Sequence, residues 1–328
     1  MKFSTFYKFL LAFAIILFLI PVILGFNQYN VYLATQVVIV AIMVTAWNII
    51  GGYAGQLDLA ASAYLALGGA IAGLLLVFYK ITPWIGMPLG ALTAVGLAIV
   101  VGYPTFRFGL REVWYALATA ALVVILQRAY WLIYGTTEIY IATEVPYTWS
   151  WLYLRFNRYE PYFYLAAIVL IFVIWLNMKI EKSKLGYYLK AIRDDEEAAE
   201  ALGIDVRRCK LYALMIYAAI LGFTGGIFVS TMGIISFRMF DPWLGIVIAV
   251  MGIVGGLGSL QGALAAAFIL RTIEEYLRGE LGAIIPGLHL IIYGILLVAV
   301  AVLKPEGLAA IIRYFQLKMK SKLQGVKK

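Results

Sequence analysis

The chain has 328 residues, of which 64% are hydrophobic and 13% charged, and it carries a net charge of +9. A soluble domain carries about 25% charged residues, so a dissolved globular protein is excluded and a polytopic membrane protein with long apolar helices is expected. One cysteine, Cys209, excludes an internal disulfide or a multi-cysteine cluster, one histidine, His289, excludes paired-histidine chemistry, and no phosphate loop G-x-x-x-x-G-K-[ST] occurs.

The first apolar run, Phe9–Ile20, has the length of a signal-peptide core but lacks a small-residue cleavage site, so it is expected to be a retained first helix. Span one covers about 8–26 and ends before Asn27-Gln28-Tyr29-Asn30. Span two covers about 31–50, span three about 59–79 and, after Thr82-Pro83, span four about 84–103. Arg107 and Arg111 then fall on the inner side, as positive residues do. Span five, about 113–134, leads into an aromatic outer loop whose Trp149, Trp151 and Tyr153 suit the membrane surface. Span six, about 161–178, returns the chain at Lys179, and span seven covers about 211–235.

Residues 243–272 are too long for one upright helix and too short for two ordinary ones, and Gly252, Gly255, Gly256, Gly258 and Gly262 interrupt them. Two short helices meeting at a glycine break are expected there, followed by a last span at about 288–303. The fold class is thus all-α: a polytopic membrane protein of about ten helices, some short or broken, with eight to ten full crossings. Residues 1–312 are expected to form one transmembrane domain and 313–328 a basic tail; the tail's six basic residues and no acid, with Lys2 and Lys8 at the other end, favour both termini in the cytoplasm over nucleic-acid binding. A second glycine break lies at Gly51-Gly52-Tyr53-Ala54-Gly55-Gln56. Matching breaks in two halves mark a duplicated transporter, or reflect only the close packing that glycine allows.

Between spans six and seven, residues 179–210 hold eight basic and seven acidic side chains, too many for lipid. Asp194, Asp195, Glu196 and Glu197 open a short helix, Asp194 with Glu197 matching the capping-box spacing, and Gly203 suits its left-handed stop. About eight residues fit between. Ala198, Ala199 and Ala201 with Leu202 leave the backbone open to a partner; the other reading, a connector lying on the membrane, wants a broader oily face.

Glu197-Ala198-Ala199-x-x-x-Gly203 resembles the EAA loop of ATP-binding cassette importer permeases. Ser183-Lys184-Leu185-Gly186, Ala191-Ile192-Arg193-Asp194-Asp195-Glu196 and Ala199-Glu200-Ala201-Leu202-Gly203-Ile204 resemble the branched-chain amino acid permeases of that class. So do Gly52-Tyr53-Ala54-Gly55-Gln56-Leu57, Arg111-Glu112-Val113-Trp114-Tyr115-Ala116-Leu117, the run Gly252–Ser259, Tyr293-Gly294-Ile295-Leu296-Leu297 and Pro305-Glu306-Gly307-Leu308. Together they cover about residues 45–312 and match the longer, LivM type. The resemblance implies a second permease subunit of LivH type, two ATP-binding cassette subunits that hold ATP and Mg, and an extracytoplasmic binding protein. It makes the helix around Asp195–Gly203 the coupling helix, with Arg193 and Asp194 joining it in contact with the cassette, and implies no catalytic residue, metal or cofactor in this chain. Asp58-Leu59-Ala60-Ala61 departs from the family's Ser-Leu-Gly-His, and Gly135-Thr136-Thr137-Glu138-Ile139 from its Thr-Gly-Gly, so the resemblance specifies the class and not the solute.

Among polar residues at membrane depth, Asp58 either holds an amino group or sits in water at the end of span two. Asn48 and Gln56 line the same region or bond helix to helix, as Gly255, Gly256 and Ser259 line the pathway or let helices cross. Gln127 and Arg128 face protein, a cavity or, for Arg128, the interface. Asp241-Pro242 starts a helix. Arg271, Glu274, Glu275 and Arg278 have helical spacing on an outer segment, either receiving the binding protein or pairing with one another in solvent. The expected function is the transmembrane subunit of an ATP-driven importer for branched-chain or related amino acids. An ion-coupled secondary transporter, or an importer of urea or amides, is the alternative.

Overall fold

The computed structural model describes residues 3–110, 112–141, 150–281, 291–292, 294–295 and 307–310. Arg111, Trp149, His289 and the basic tail lie outside the described residues, as does most of the span expected at 288–303. The chain runs through α1 (Phe3–Ile23), α2 (Gln28–Trp47) with a π turn (Asn48–Tyr53), α3 (Ala61–Tyr79), α4 (Pro83–Arg107), α5 (Glu112–Tyr134) and the short α6 (Ser150–Tyr153). It continues through α7 (Glu160–Glu181), α8 (Lys184–Asp194), α9 (Glu196–Ala201), α10 (Val206–Met232), α11 (Pro242–Gly255) and α12 (Leu260–Leu281). Seven helical segments among the described residues are long and apolar enough to cross a membrane, which makes this an all-α polytopic membrane fold.

Local signals set the helix starts. Asn27 accepts from the Asn30 amide before α2, and Thr82 precedes Pro83 at the head of α4. Asp241 accepts from the Trp243 amide at 3.0 Å with Pro242 in the first turn of α11, as the Asp-Pro pair predicts. One element has no counterpart in the sequence reading: β1 (Ile139–Tyr140) pairs antiparallel with β2 (Ile234–Ile235). That short two-stranded ladder marks one end of the bundle, and α8 with α9 marks the other.

The centre of the bundle is α2, whose residues from Thr35 to Trp47 are all buried. A helix apolar on every face belongs in a core, and α2 packs against α7, α10, α11 and α12. The closest crossing joins α3, α4 and α10. A Cβ on Gly90 would stand 2.5 Å from the Gly68 carbonyl oxygen, and one on Gly222 would stand 2.6 Å from that of Gly90. Backbones approach this closely only where side chains are missing. Gly222→Ala is therefore expected to destabilise the bundle by about 2 kcal/mol through overpacking, read as a lower unfolding temperature in detergent.

The glycine-rich segment after Asp241 forms a helical hairpin, as expected, but unequally. The first arm, α11, has 14 residues and the second, α12, has 22. A Cβ on Gly255 would meet the Gly262 carbonyl and the Ala263 amide at 2.7 Å, so small residues let the arms close.

Candidate functional site

The α8–α9 end carries the polar segment singled out from its charges. It contains two helices rather than one. Ser183 accepts from the Gly186 amide to start α8, and Gly186, Leu189 and Ile192 turn inward at helical spacing. Asp194 is the last residue of α8, not a cap. The cap of α9 is Asp195, in extended backbone, whose Oδ1 accepts from the Glu197 and Ala198 amides, each at 3.0 Å. The cap prediction was therefore one residue early, and α9 has six residues rather than about eight. Gly203 takes φ +85°, the left-handed conformation its position suggests. Asp195→Ala should cost about 1 kcal/mol locally, raising amide exchange of Glu197 and Ala198 about fivefold.

The faces of α9 divide as follows. Ala199 is buried, whereas Glu197, Ala198, Ala201 and Gly203 are exposed and Leu202 is 82% exposed. Glu196 turns inward, its Oε2 2.7 Å from Nζ of the buried Lys210 on α10. That ion pair bolts α9 to a long helix, and nothing in the spacing of the two residues announces it. The outward face carries small side chains, the carboxylates of Glu197 and Glu200 and one bare leucine.

Arg193, at the end of α8, links this arm to the bundle. Its Nη1 donates to the Gly52 carbonyl at 2.8 Å, and Nη2 lies 3.3 Å from Oδ1 of the exposed Asp194. The two glycine breaks meet at this point. A Cβ on Gly52 would stand 2.8 Å from the Gly258 amide nitrogen, and one on Gly258 would stand 2.8 Å from Arg193 Nη1. Gly55, at φ +69°, gives the Arg193 stem its room, since a Cβ there would sit 2.8 Å from Cγ. Thus the arm's guanidinium is seated between the ends of two core helices, one of which ends in a π turn, a form frequent at functional sites. A cavity of about 530 Å³ adjoins this seat, walled in part by Gln56, Arg193, Asp195 and Leu257.

The remaining sequence candidates have defined places. Asp58 has no exposed surface, so the reading that set it in water is corrected. Residues 54–60 turn back into the bundle, where Tyr115 donates to Asp58 Oδ2 at 2.8 Å and the Ala60 amide to Oδ1 at 2.9 Å. Asn48 bonds helix to helix, its Nδ2 3.5 Å from Asn177 Oδ1, and Asn177 in turn donates to the Thr45 carbonyl. Gln127 donates to the Phe240 carbonyl at 2.9 Å, and Arg128 is exposed. Gly256 takes φ +103° at the end of α11, and Ser259 accepts from the Gly262 amide to start α12. Arg271 pairs with Glu274 at 2.8 Å and with Glu275, which also meets Arg278. This self-pairing was expected, but Glu274 and Glu275 are buried rather than solvated. Among the described residues, no group of three or more His, Cys, Asp or Glu is placed to hold a metal ion.

A family model described as the branched-chain amino acid transport system / permease component matches residues 29–301. The chain belongs to that permease family. The permease is 27% identical over 319 residues to the high-affinity branched-chain amino acid transport system permease protein LivM of Escherichia coli (strain K12), covering 89% of this chain and 72% of that one. The probable branched-chain amino acid transport permease protein LivH of Methanocaldococcus jannaschii is 24% identical over 273 residues, covering 77% of the permease and 83% of LivH. The fructose import permease protein FrcC of Rhizobium meliloti is 24% identical over 300 residues, covering 86% and 80%. No solved structure matches the permease.

Proposed function

We propose that the chain is the transmembrane subunit of an ATP-driven importer that moves branched-chain or related amino acids into the cell. A second permease subunit of LivH type completes the pathway. Two cassette subunits hold and hydrolyse ATP with Mg, and an extracytoplasmic binding protein delivers the solute. The chain itself performs no covalent chemistry. On this reading the α8–α9 end and both termini face the cytoplasm of a multi-pass protein in the cell membrane, and the β1–β2 pair faces out.

The observation that carries the proposal is the seat of Arg193. A partner that grips the outer face of α9 moves α8 with it, because Asp195 ends one helix and caps the other. Arg193 then pulls on Gly52, in the π turn that ends α2, and Gly258, in the turn after α11, lies against its guanidinium. Cassette closure becomes a rigid-body shift of core helices, a recognised form of coupled motion. The ion-coupled alternative leaves such a linkage without a task.

The test is reconstitution. The chain, co-expressed with its companion permease and cassettes, should be captured by crosslinks from Ala198 or Leu202 to a cassette. In proteoliposomes, uptake of L-leucine should require ATP and the binding protein. Leucine uptake by this chain alone, driven by an ion gradient, overturns the proposal. The FrcC likeness supports a second reading, a sugar as solute, which uptake of labelled fructose in the same vesicles would reveal.

A further inference from the structure

We propose that the cavity between α2, α10, α11 and α12, toward the β1–β2 end, is a station that receives the zwitterion of an aliphatic α-amino acid. The inference rests on the importer reading above and adds to it the place and chemistry of cargo recognition. The cavity holds about 460 Å³, within the usual range for small-molecule sites. Its walls differ in character. Ile39, Met43 and Phe228 provide apolar surface, as a branched hydrocarbon side chain requires. Arg271, Glu274 and Asp241 bring charges of both signs to the same space, as a head group bearing both a carboxylate and an ammonium requires.

Among the described residues, two donors at this site lack acceptors. Gln36, 3% exposed and part of the wall, has no acceptor for Nε2, and Arg271 has none for Nε. Buried polar groups are ordinarily paired, and an orphan calls for an explanation. Neither nitrogen is open to water; both residues line the cavity wall, and a turn of the glutamine's easily rotated terminal torsion brings Nε2 to the cavity. A ligand carboxylate accepts from Gln36 Nε2 after that turn, with the Arg271 guanidinium as the positive charge in the same wall. Arg271 is braced by Glu274 at 2.8 Å and by Glu275 at 2.5 Å, so its guanidinium is held in place before a ligand arrives. The ammonium of the same ligand then has Glu274 and Asp241 as its counter-charges. The cavity lies away from α8 and α9, on the side from which the importer reading has solute delivered.

The experiment uses the complete importer in nanodiscs, without binding protein, titrated with tritiated L-leucine. Saturable binding is expected. Leucinamide, which lacks the carboxylate, and 4-methylpentanoate, which lacks the ammonium, should each displace leucine at least about tenfold less well. Gln36→Leu removes a buried orphan without changing bulk, so its unfolding temperature should not fall while leucine affinity drops about tenfold. Met43→Phe, which narrows the apolar end, should also weaken leucine. Wild-type leucine affinity in both variants, or displacement by fructose as effective as by leucine, overturns the station. Failure of the wild-type proteoliposomes to take up leucine with ATP and binding protein overturns the importer reading itself, a result distinct from either.

Discussion

On the proposed importer function, Arg193→Met is expected to leave the chain inserted and helical while solute uptake per ATP falls at least about tenfold. The methionine keeps the unbranched stem beside Gly55 but removes the donor to the Gly52 carbonyl. A hydrogen bond from a charged group is worth about 1.5–3 kcal/mol, or roughly a 10- to 150-fold bias between two arrangements of a helix bundle. If the bond exists in only one of the inward- and outward-open arrangements, its loss shifts their balance by that amount. Cassette turnover should persist because the outer face of α9 is untouched. Arg193→Lys should fall between, since an ammonium supplies charge but not the planar fork. Gly258→Ala, at φ +76° and with its Cβ 2.8 Å from Nη1, should mimic the methionine variant by blocking the seat. Uptake and ATP hydrolysis measured on the same proteoliposomes decide the matter. Unchanged uptake per ATP in Arg193→Met would remove Arg193 from the coupling path.

Much of this arrangement is written locally and was readable. Apolar run length gave the crossings, Asp241-Pro242 the start of α11, and Gly203 the end of the α9 arm, because each signal acts within a few residues of itself. The α8 helix was also legible in principle. Leu185, Leu189 and Ile192 recur at helical spacing, but the surrounding charges drew the reading toward a single short helix. Two adjacent aspartates made the cap ambiguous by one position, and burial of Ile192 favours ending α8 at Asp194 so that Asp195 is left to cap. The self-pairing of Arg271, Glu274 and Glu275 followed from their spacing, whereas their burial did not. It depends on α2 and α11 packing against α12, and no spacing in one segment encodes that enclosure. The same limit hid the Arg193–Gly52 bond, which joins residues 141 positions apart, and the pairing of β1 with β2.

Asp58 shows most sharply how enclosure changes the meaning of a residue. Its carboxylate accepts from Tyr115 and from the Ala60 amide, its carbonyl accepts from Trp47 Nε1 at 2.8 Å, and the next amide, of Leu59, donates to Thr119 at 3.1 Å. These bonds tie residues 54–60 to α2 and α5, and so fix the loop whose Gly55 makes room for Arg193. Asp58→Leu would strand two buried donors at about 1–3 kcal/mol each. The expected loss is about 4 kcal/mol, a large share of a membrane bundle's stability by the measure of native proteins generally. No monodisperse protein should be recovered from detergent. Asp58→Asn keeps an acceptor oxygen for one of the two donors and should cost about 1 kcal/mol, leaving a folded chain with leucine uptake near the parent's. A folded asparagine variant that binds its cassettes yet no longer moves leucine would give the carboxylate a part in cargo handling. A leucine variant that melts like the parent would show that the re-entrant loop is held by its apolar contacts alone.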